Sequence, residues 1–327
     1  MFVNSLHRDS PAFSGKRVIA LGFFDGVHNA HRALIAEAKE KAEAIGAETA
    51  VFTFPADGGV KPEAARLSST EEKLSVLSTL GVERTFLCPL GEIKDMTAEE
   101  FADFLTEKLG CTLAVVGYNF RFAKGATADA GTLTDLMRKR GADTLVLPPK
   151  QAEDQSLSSS WIRKLLTEGK TAEARELLGV PYTFEGTVEH GRGFGHTFGL
   201  PTVNLPIPSG KLIPKSGVYR SLITVEDRGY FAVTDVGTCP SFGERPTHSE
   251  TFIFGLDGDL YGKAVRVYLL GYLREETVFP EEKALKMQIN IDIMKANEAN
   301  GQEPADLSAV LLRTFKGDYQ WQDNGQN

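Results

Sequence analysis

His28 and His31 stand three residues apart, directly after the run Gly22-Phe23-Phe24-Asp25-Gly26-Val27. At that spacing two side chains share one face of a helix. A short apolar run, Arg17-Val18-Ile19-Ala20-Leu21, precedes them, and residues 32–44, rich in Ala, Glu, Lys and Leu, follow as a helical pattern. The pair is therefore expected at a strand-to-helix junction. Free backbone N–H groups and the positive end of the helix dipole attract anions there. An imidazole beside a polyphosphate is biased toward its charged form. Two such donors can stabilise charge building on an α-phosphate during in-line attack. Gly22 and Gly26 let the backbone approach a nucleotide closely.

A second constellation lies in Gly199-Leu200-Pro201-Thr202-Val203-Asn204. Thr202 and Asn204 are two apart, so on an extended segment they face the same side. Their neutral oxygens suit Mg²⁺, which keeps waters and shares its shell with phosphate oxygens. Upstream, Gly191-Arg192-Gly193-Phe194-Gly195-His196 alternates glycines, and Gly193 and Gly195 can wrap backbone around phosphates. Glu250, in Ser249-Glu250-Thr251, is placed as a base for a hydroxyl proton. Asp259-Leu260-Tyr261-Gly262-Lys263 makes a turn beyond it. Taken singly, these features read equally as surface histidines, a turn after proline and an exposed carboxylate. Their joint order implies an enzyme that carries out two consecutive phosphate transfers.

The elements that must position these residues fall into two textures. Over the first 150 residues, strand-like runs (17–21, 49–54, 84–87, 113–116, 143–147) alternate with helical stretches (32–44, 101–109, 132–140). Ser69 with Glu72 and Thr97 with Glu100 form capping-box patterns. Near-continuous apolar strands separated by helices imply a parallel sheet covered on both faces, with ligands at the carboxyl ends of strands. Gly22 to Asp25, Phe54-Pro55 and Gly117-Tyr118-Asn119 all follow such ends. After a polar stretch at 151–160, one helical pattern runs from Trp161 to Leu178 and closes on Gly179 and Pro181. The domain boundary is expected there, giving domains of 1–180 and 181–327. Beyond it, strand-like segments at 182–188, 217–225, 230–236, 251–256 and 264–273 follow one another without helices. That order favours an antiparallel sheet or small barrel. A helix is expected over 280–297, and the polar tail after Gly317 is expected to fray.

The chain has 327 residues, enough for two domains, with 42% apolar and 24% charged residues. A net charge of −8 supplies no basic excess for a nucleic-acid backbone. The three cysteines, Cys88, Cys111 and Cys239, are scattered, with no zinc-type cluster and no disulfide framework. The first ten residues lack the apolar core of a signal peptide, and no run reaches the length of a membrane span. A cytoplasmic, soluble protein is expected, without nucleic-acid or membrane partners and with its oligomeric state open.

The spelling Gly-x-Phe-Asp-Gly-Val-His-x-x-His resembles the HxGH-type nucleotidyltransferase motif. Here it looks like the N-terminal half of the bacterial bifunctional riboflavin kinase/FMN adenylyltransferase (FAD synthetase) family. Val116-Gly117-Tyr118-Asn119-Phe120-Arg121-Phe122 and Ser158-Ser159-Ser160-Trp161-Ile162-Arg163 agree with it. The second half resembles the riboflavin kinase module: Gly-x-Pro-Thr-x-Asn, Gly217-Val218-Tyr219, Glu250, Asp259 to Gly262, Leu273-Arg274-x-Glu276 and Gln288-Ile289-x-x-Asp292. Departures stand beside these matches. Ala30 and Ala123 occupy family glycines, Phe54-Pro55-Ala56-Asp57 replaces a Pro-His-Pro, and His196 stands for the loop's usual Arg.

The resemblance implies an α/β Rossmann-like nucleotidyltransferase domain with a parallel sheet. An antiparallel β-barrel riboflavin kinase domain with a C-terminal helix would follow. It implies phosphorylation of riboflavin by ATP to FMN, then adenylylation of FMN by ATP to FAD, with Mg²⁺ in both steps. His28 and His31 would act on the adenylyl group. Gly22, Asp25, Gly26, Asn119, Ser158, Ser159, Ser160 and Arg163 would hold the nucleotide. Thr202 and Asn204 would ligate Mg²⁺-ATP, Glu250 would deprotonate the ribityl hydroxyl, and Arg274 would lie near the flavin. The departures motivate two alternatives: a riboflavin kinase with a decayed first domain, and a flavin-binding regulator without turnover.

Overall fold

The structure is a computed structural model describing residues 1–57, 65–149, 151–152, 155–189, 202–237, 248–256, 258–277, 279 and 281–322. The chain separates into two compact units, Met1–Ser158 with Phe315–Asn327, and Ser159–Thr314.

The first unit alternates strand and helix: β1 (Phe2–Ser5), β2 (Arg17–Leu21), α1 (Asn29–Ile45), β3 (Glu48–Thr53), α2 (Thr70–Thr79), β4 (Arg84–Leu87), α3 (Leu90–Ile93), α4 (Ala98–Asp103) and β5 (Cys111–Gly117). After β5 come the two-residue pair β6 (Arg121–Phe122) and β7 (Ala128–Asp129), then α5 (Ala130–Lys139) and β8 (Asp143–Leu147). A short hairpin, β9 (Gln151–Ala152) and β10 (Gln155–Ser156), follows.

The large strands form a parallel sheet in the order β1-β4-β3-β2-β5-β8. All five residues of β2 are buried, as a strand covered on both faces requires. Phe52 of β3 meets the rings of Phe101 and Phe104 edge-on in the core under one face. Both capping boxes form: Ser69 and Glu72 open α2, and Thr97 and Glu100 open α4. The chain steps from β2 outward through β3 and β4, then crosses back to β5 on the other side of β2. That reversal beside β2 creates the crevice where doubly wound sheets bind ligands.

The second unit begins with α6 (Ser159–Thr167) and α7 (Thr171–Leu178). The sequence pattern reads 161–178 as one helix, but Gly169 breaks it at φ +81°. A side chain on Gly169 would press against Lys215 and Tyr272 at 3.1–3.4 Å, so the break is also a close approach. The strands are β11 (Tyr182–Thr187), β12 (Thr202–Pro206), β13 (Gly217–Val225), β14 (Arg228–Gly237), β15 (His248–Ile253) and β16 (Ala264–Arg274). All pair antiparallel in the order β11-β16-β13-β14-β15-β12. Just past β11, the Glu189 N–H donates to the Asn204 carbonyl of β12 at 3.0 Å, bringing the two edge strands of the curled sheet together. Its interior holds a hydroxyl chain, Ser221 to Thr234 at 2.7 Å and Thr234 to Thr251 at 2.9 Å. Two helices follow, α8 (Glu282–Asn300) and α9 (Leu307–Lys316).

The tail corrects the expectation of a frayed end. A last strand, β17 (Gln320–Gln322), pairs in parallel with β1 and becomes the edge of the first unit's sheet. The Gln320 N–H donates to the Met1 carbonyl at 2.9 Å, and Arg84 reaches both Asn4 and Gln322. Neither short strand carries a strong periodic signal, because each is stabilised by the other.

Candidate active sites

The turn after β2 is unusual backbone. Phe24 (φ 51°) and Val27 (φ 42°) are non-glycine residues in the left-handed region, with Gly26 (φ 77°) between them. A β-branched residue there is strained, at a cost of about 1–3 kcal/mol. Such a conformation persists only when its surroundings over-determine it. Asp25 does part of this, its carboxylate accepting from the Leu67 N–H at 2.9 Å and the Ser68 N–H at 3.2 Å. The Gly26 N–H donates to the Ser68 hydroxyl at 3.0 Å. Asp25 therefore shapes the turn through residues 67–68. Gly22 packs under the turn, since a Cβ there would meet the Phe24 ring at 3.2 Å.

The result is that His28 caps α1 in extended conformation and His31 follows in its first turn. Their rings stack 3.6 Å apart at 15°. His28 is buried, and His31 meets the Phe24 ring edge-on. Burial holds the His31 imidazole well below its ordinary pKa, and the nearby charges of His28 and Lys73 push it further down. His31 Nδ1 is buried without a hydrogen-bond partner.

Lys73 was not singled out by sequence reasoning. It lies buried in the first turns of α2. Its ammonium donates to the Phe23 carbonyl and the Phe54 carbonyl, each at 2.8 Å, with the Thr53 hydroxyl at 3.5 Å. Burial lowers its pKa to about 8, with the neighbouring Asp25 charge opposing and Arg66 reinforcing that shift. A signal existed: Lys73 leads Val76, Leu77 and Leu80 at helical spacing, on the apolar stripe of α2.

The other expected residues of this half are spread over both units. Asn119 lies exposed in the turn after β5, its side-chain oxygen packed toward Gly117. Ser158 ends the first unit, and Ser159, Ser160 and Arg163 begin the second in the first turns of α6. Ala123 adopts φ 66° and ψ 173°, a region nearly exclusive to glycine.

In the second unit, strand register does the positioning. Asn204, Glu250 and Asp235 are opposite one another across β12, β15 and β14. The same row continues through Val218 of β13 to Arg274 of β16. The Thr202 hydroxyl donates to Glu250 Oε1 at 2.6 Å. The two β12 residues and the carboxylate are thus brought together. The 259–263 turn joins the same region: the Gly262 N–H donates to the Val188 carbonyl and the Val188 N–H to the Lys263 carbonyl, one residue before Glu189 meets Asn204.

Arg274 is engaged by α8: its guanidinium donates to both oxygens of buried Asp292 at 2.8–3.1 Å, and Gln288 donates to the same carboxylate. Asp235 is the second residue that sequence reasoning passed over. Desolvation raises its pKa to about 7, and the Glu276 and Glu250 charges add to the shift. Its Oδ1 is buried without a partner. A lone acid in the strand Ala232-Val233-Thr234-Asp235-Val236 was its only signal. Gly193 and Gly195 lie outside the described residues.

The fold and the two clusters define a class: a nucleotidyl-transfer α/β unit joined to a small antiparallel barrel with its own phosphate chemistry. The comparisons agree on both halves. A family model described as FAD synthetase matches residues 10–161, and one described as riboflavin kinase matches residues 178–300. The bifunctional riboflavin kinase/FMN adenylyltransferase of Bacillus subtilis is 32% identical over 86% of this chain and 92% of its own. The enzyme of that name from Escherichia coli K12 is 30% identical over 91% and 97%. A solved Streptococcus pneumoniae structure described as a macrolide-efflux protein superposes with a TM-score of 0.81 at 26% identity, over 90% of this chain and 98% of that one. Efflux is said of that protein; among the described residues here, no helix is long and apolar enough to cross a membrane. The chain belongs to the bifunctional riboflavin kinase/FMN adenylyltransferase family.

Proposed function

We propose that the barrel unit phosphorylates the terminal ribityl hydroxyl of riboflavin, and that the α/β unit adenylylates the resulting FMN. The observation that carries the kinase assignment is the Thr202 hydroxyl bonded to Glu250, with Asn204 in register beside them. Because Thr202 spends its hydrogen on Glu250 Oε1, its lone pairs face away from the carboxylate. With the Asn204 amide oxygen they form a neutral, hard donor pair. Among the described residues, no group of three His, Cys, Asp or Glu is placed to hold a metal ion. This set fits a cation that arrives with ATP and keeps waters and phosphate oxygens in its shell. Mg²⁺ bound there would offset charge on the β- and γ-phosphates. Glu250 Oε2 takes the ribityl proton as the hydroxyl oxygen attacks the γ-phosphorus, and the bond to the ADP oxygen breaks. Arg274, fixed by Asp292, orients the flavin end of the row.

In the α/β unit an FMN phosphate oxygen attacks the ATP α-phosphorus, and pyrophosphate leaves. His28 and His31 donate hydrogen bonds to the phosphates. Gly22, Gly26 and Asn119 let the nucleotide lie close to the strand ends. Ser158, Ser159, Ser160 and Arg163 carry hydroxyl, N–H and guanidinium donors of the kind that pyrophosphate takes. Asp25 contributes by shaping the turn. The domains would be residues 1–180 and 181–327, and the partners are the small molecules ATP, riboflavin, FMN and FAD.

Incubation with riboflavin and Mg²⁺-ATP, followed by separation of the flavins, tests the assignment. FAD is the expected product. FMN alone would leave only the kinase, and unchanged riboflavin would remove both activities.

A further inference from the structure

We propose that Lys73 is a positioning residue of the adenylyl-transfer site: its buried ammonium locks the histidine turn against the end of β3 and places a positive charge near His31 before a polyphosphate arrives. The proposal rests on the reading of His31 as a catalytic residue.

The geometry has three parts. First, the ammonium joins two strand ends. Phe23 belongs to the turn after β2 and Phe54 to the end of β3, and both carbonyls accept from Lys73 at 2.8 Å. The Thr53 hydroxyl closes the triangle by donating to the same Phe23 carbonyl at 2.9 Å. Second, the turn so held is strained at Phe24 and Val27, and needs over-determination to persist. Lys73 and Ser68 grip it from one short stretch, residues 68–73, on the N-terminal side of α2. Third, burial is the largest cause that disfavours the His31 imidazolium, and the nearby charges of His28 and then Lys73 add to it. The groups facing this pair are His28 and Asp25 from the turn, Lys73 from α2 and Arg66 from the segment before it. Asp25 alone among them is negative, and its oxygens are already engaged by residues 67–68. The free site is therefore short of negative charge, and a polyphosphate would supply it. On arrival, the phosphates would favour protonation of His31 and strengthen the charged form of Lys73 together. A donor would be made only where the charge is needed.

The test follows the His31 ring and the Lys73 side chain by heteronuclear NMR, with FAD formation from supplied FMN measured over pH 5.5–9. In the unmodified protein, Lys73 should titrate at about 8, well below an ordinary lysine. Adding ATP should raise both titrations. Lys73→Met should lower FAD formation about 10–100-fold, move the acid limb of its pH profile upward with the His31 titration, and leave riboflavin phosphorylation unchanged. Lys73→Arg, which keeps the charge but not the compact three-way fit, should keep the His31 titration while losing rate. If Lys73→Met does not fold, the titrations of the unmodified protein still decide. An ordinary Lys73 titration, or a His31 titration indifferent to ATP, overturns the proposal. Full FAD formation by His31→Asn would instead overturn the underlying site reading, whatever Lys73 does.

Discussion

Glu250 and Asp235 occupy equivalent, opposed positions on neighbouring strands, yet they meet different surroundings. Glu250 accepts a hydrogen bond from Thr202, whereas Asp235 is half-buried near the Glu276 charge with one oxygen unpartnered. This asymmetry supports the proposed role of Glu250 as the base and makes Asp235 a source of strain. Glu250→Gln should lower FMN formation about 10²–10⁴-fold and spare FAD formation from supplied FMN. Loss of both steps in a folded variant would contradict separate sites. Asp235 has a folded pKa near 7, above the unfolded value of 3.8. Between those values the folded state binds more protons than the unfolded state. Stability associated with this group is thus full below about pH 4 and is lost as pH rises through 7. Asp235→Asn should remove that loss, gaining about 1–4 kcal/mol at pH 8 and little at pH 4. Denaturant midpoints at the two pH values would show it, and an equal gain at both would refute it. The closeness of His28 to His31, and of Thr202 to Asn204, was legible because it lies in short spacing, whereas Glu250 was proposed from the joint order of the motifs. Lys73 and Asp235 were not legible, because their roles come from burial.

Elements carry their own conflicts. The β6–β7 connection places Ala123 at φ 66°, where its Cβ is crowded. Ala123→Gly should relieve this and raise stability by about 1 kcal/mol, net of the added unfolded-state entropy. A fall in melting temperature would show that the local backbone is held differently. Both capping boxes, the run of β2 and the residues of β13 were readable from the chain. The division of 161–178 into α6 and α7 was not. Gly169 alone is a weak breaker, and its left-handed turn became decisive through packing on Lys215 and Tyr272.

At the scale of the molecule, the chain ends in the unit where it began. The strand β17 covers β1, which would otherwise be a free parallel edge. Removing residues 317–327 should lower the melting temperature of the first unit by several degrees. It should promote self-association through β1, while riboflavin phosphorylation persists. Calorimetry and light scattering read the two effects. Unchanged melting would mean that the last strand adds no stability.

The amino-acid sequence alone determined the two chemistries, the alternation that makes a parallel sheet, and the helix-free run that makes an antiparallel one. Those properties are local: side-chain type, spacing, and the period of apolar residues. Tertiary structure decided which groups lose their water and which strands lie opposite one another. Only folding put an ammonium beneath two strand ends, aligned Asn204, Glu250 and Asp235 in one row, and joined residues 320–322 to the first strand. Desolvation and register depend on residues far apart in the chain, and no short window of sequence contains them.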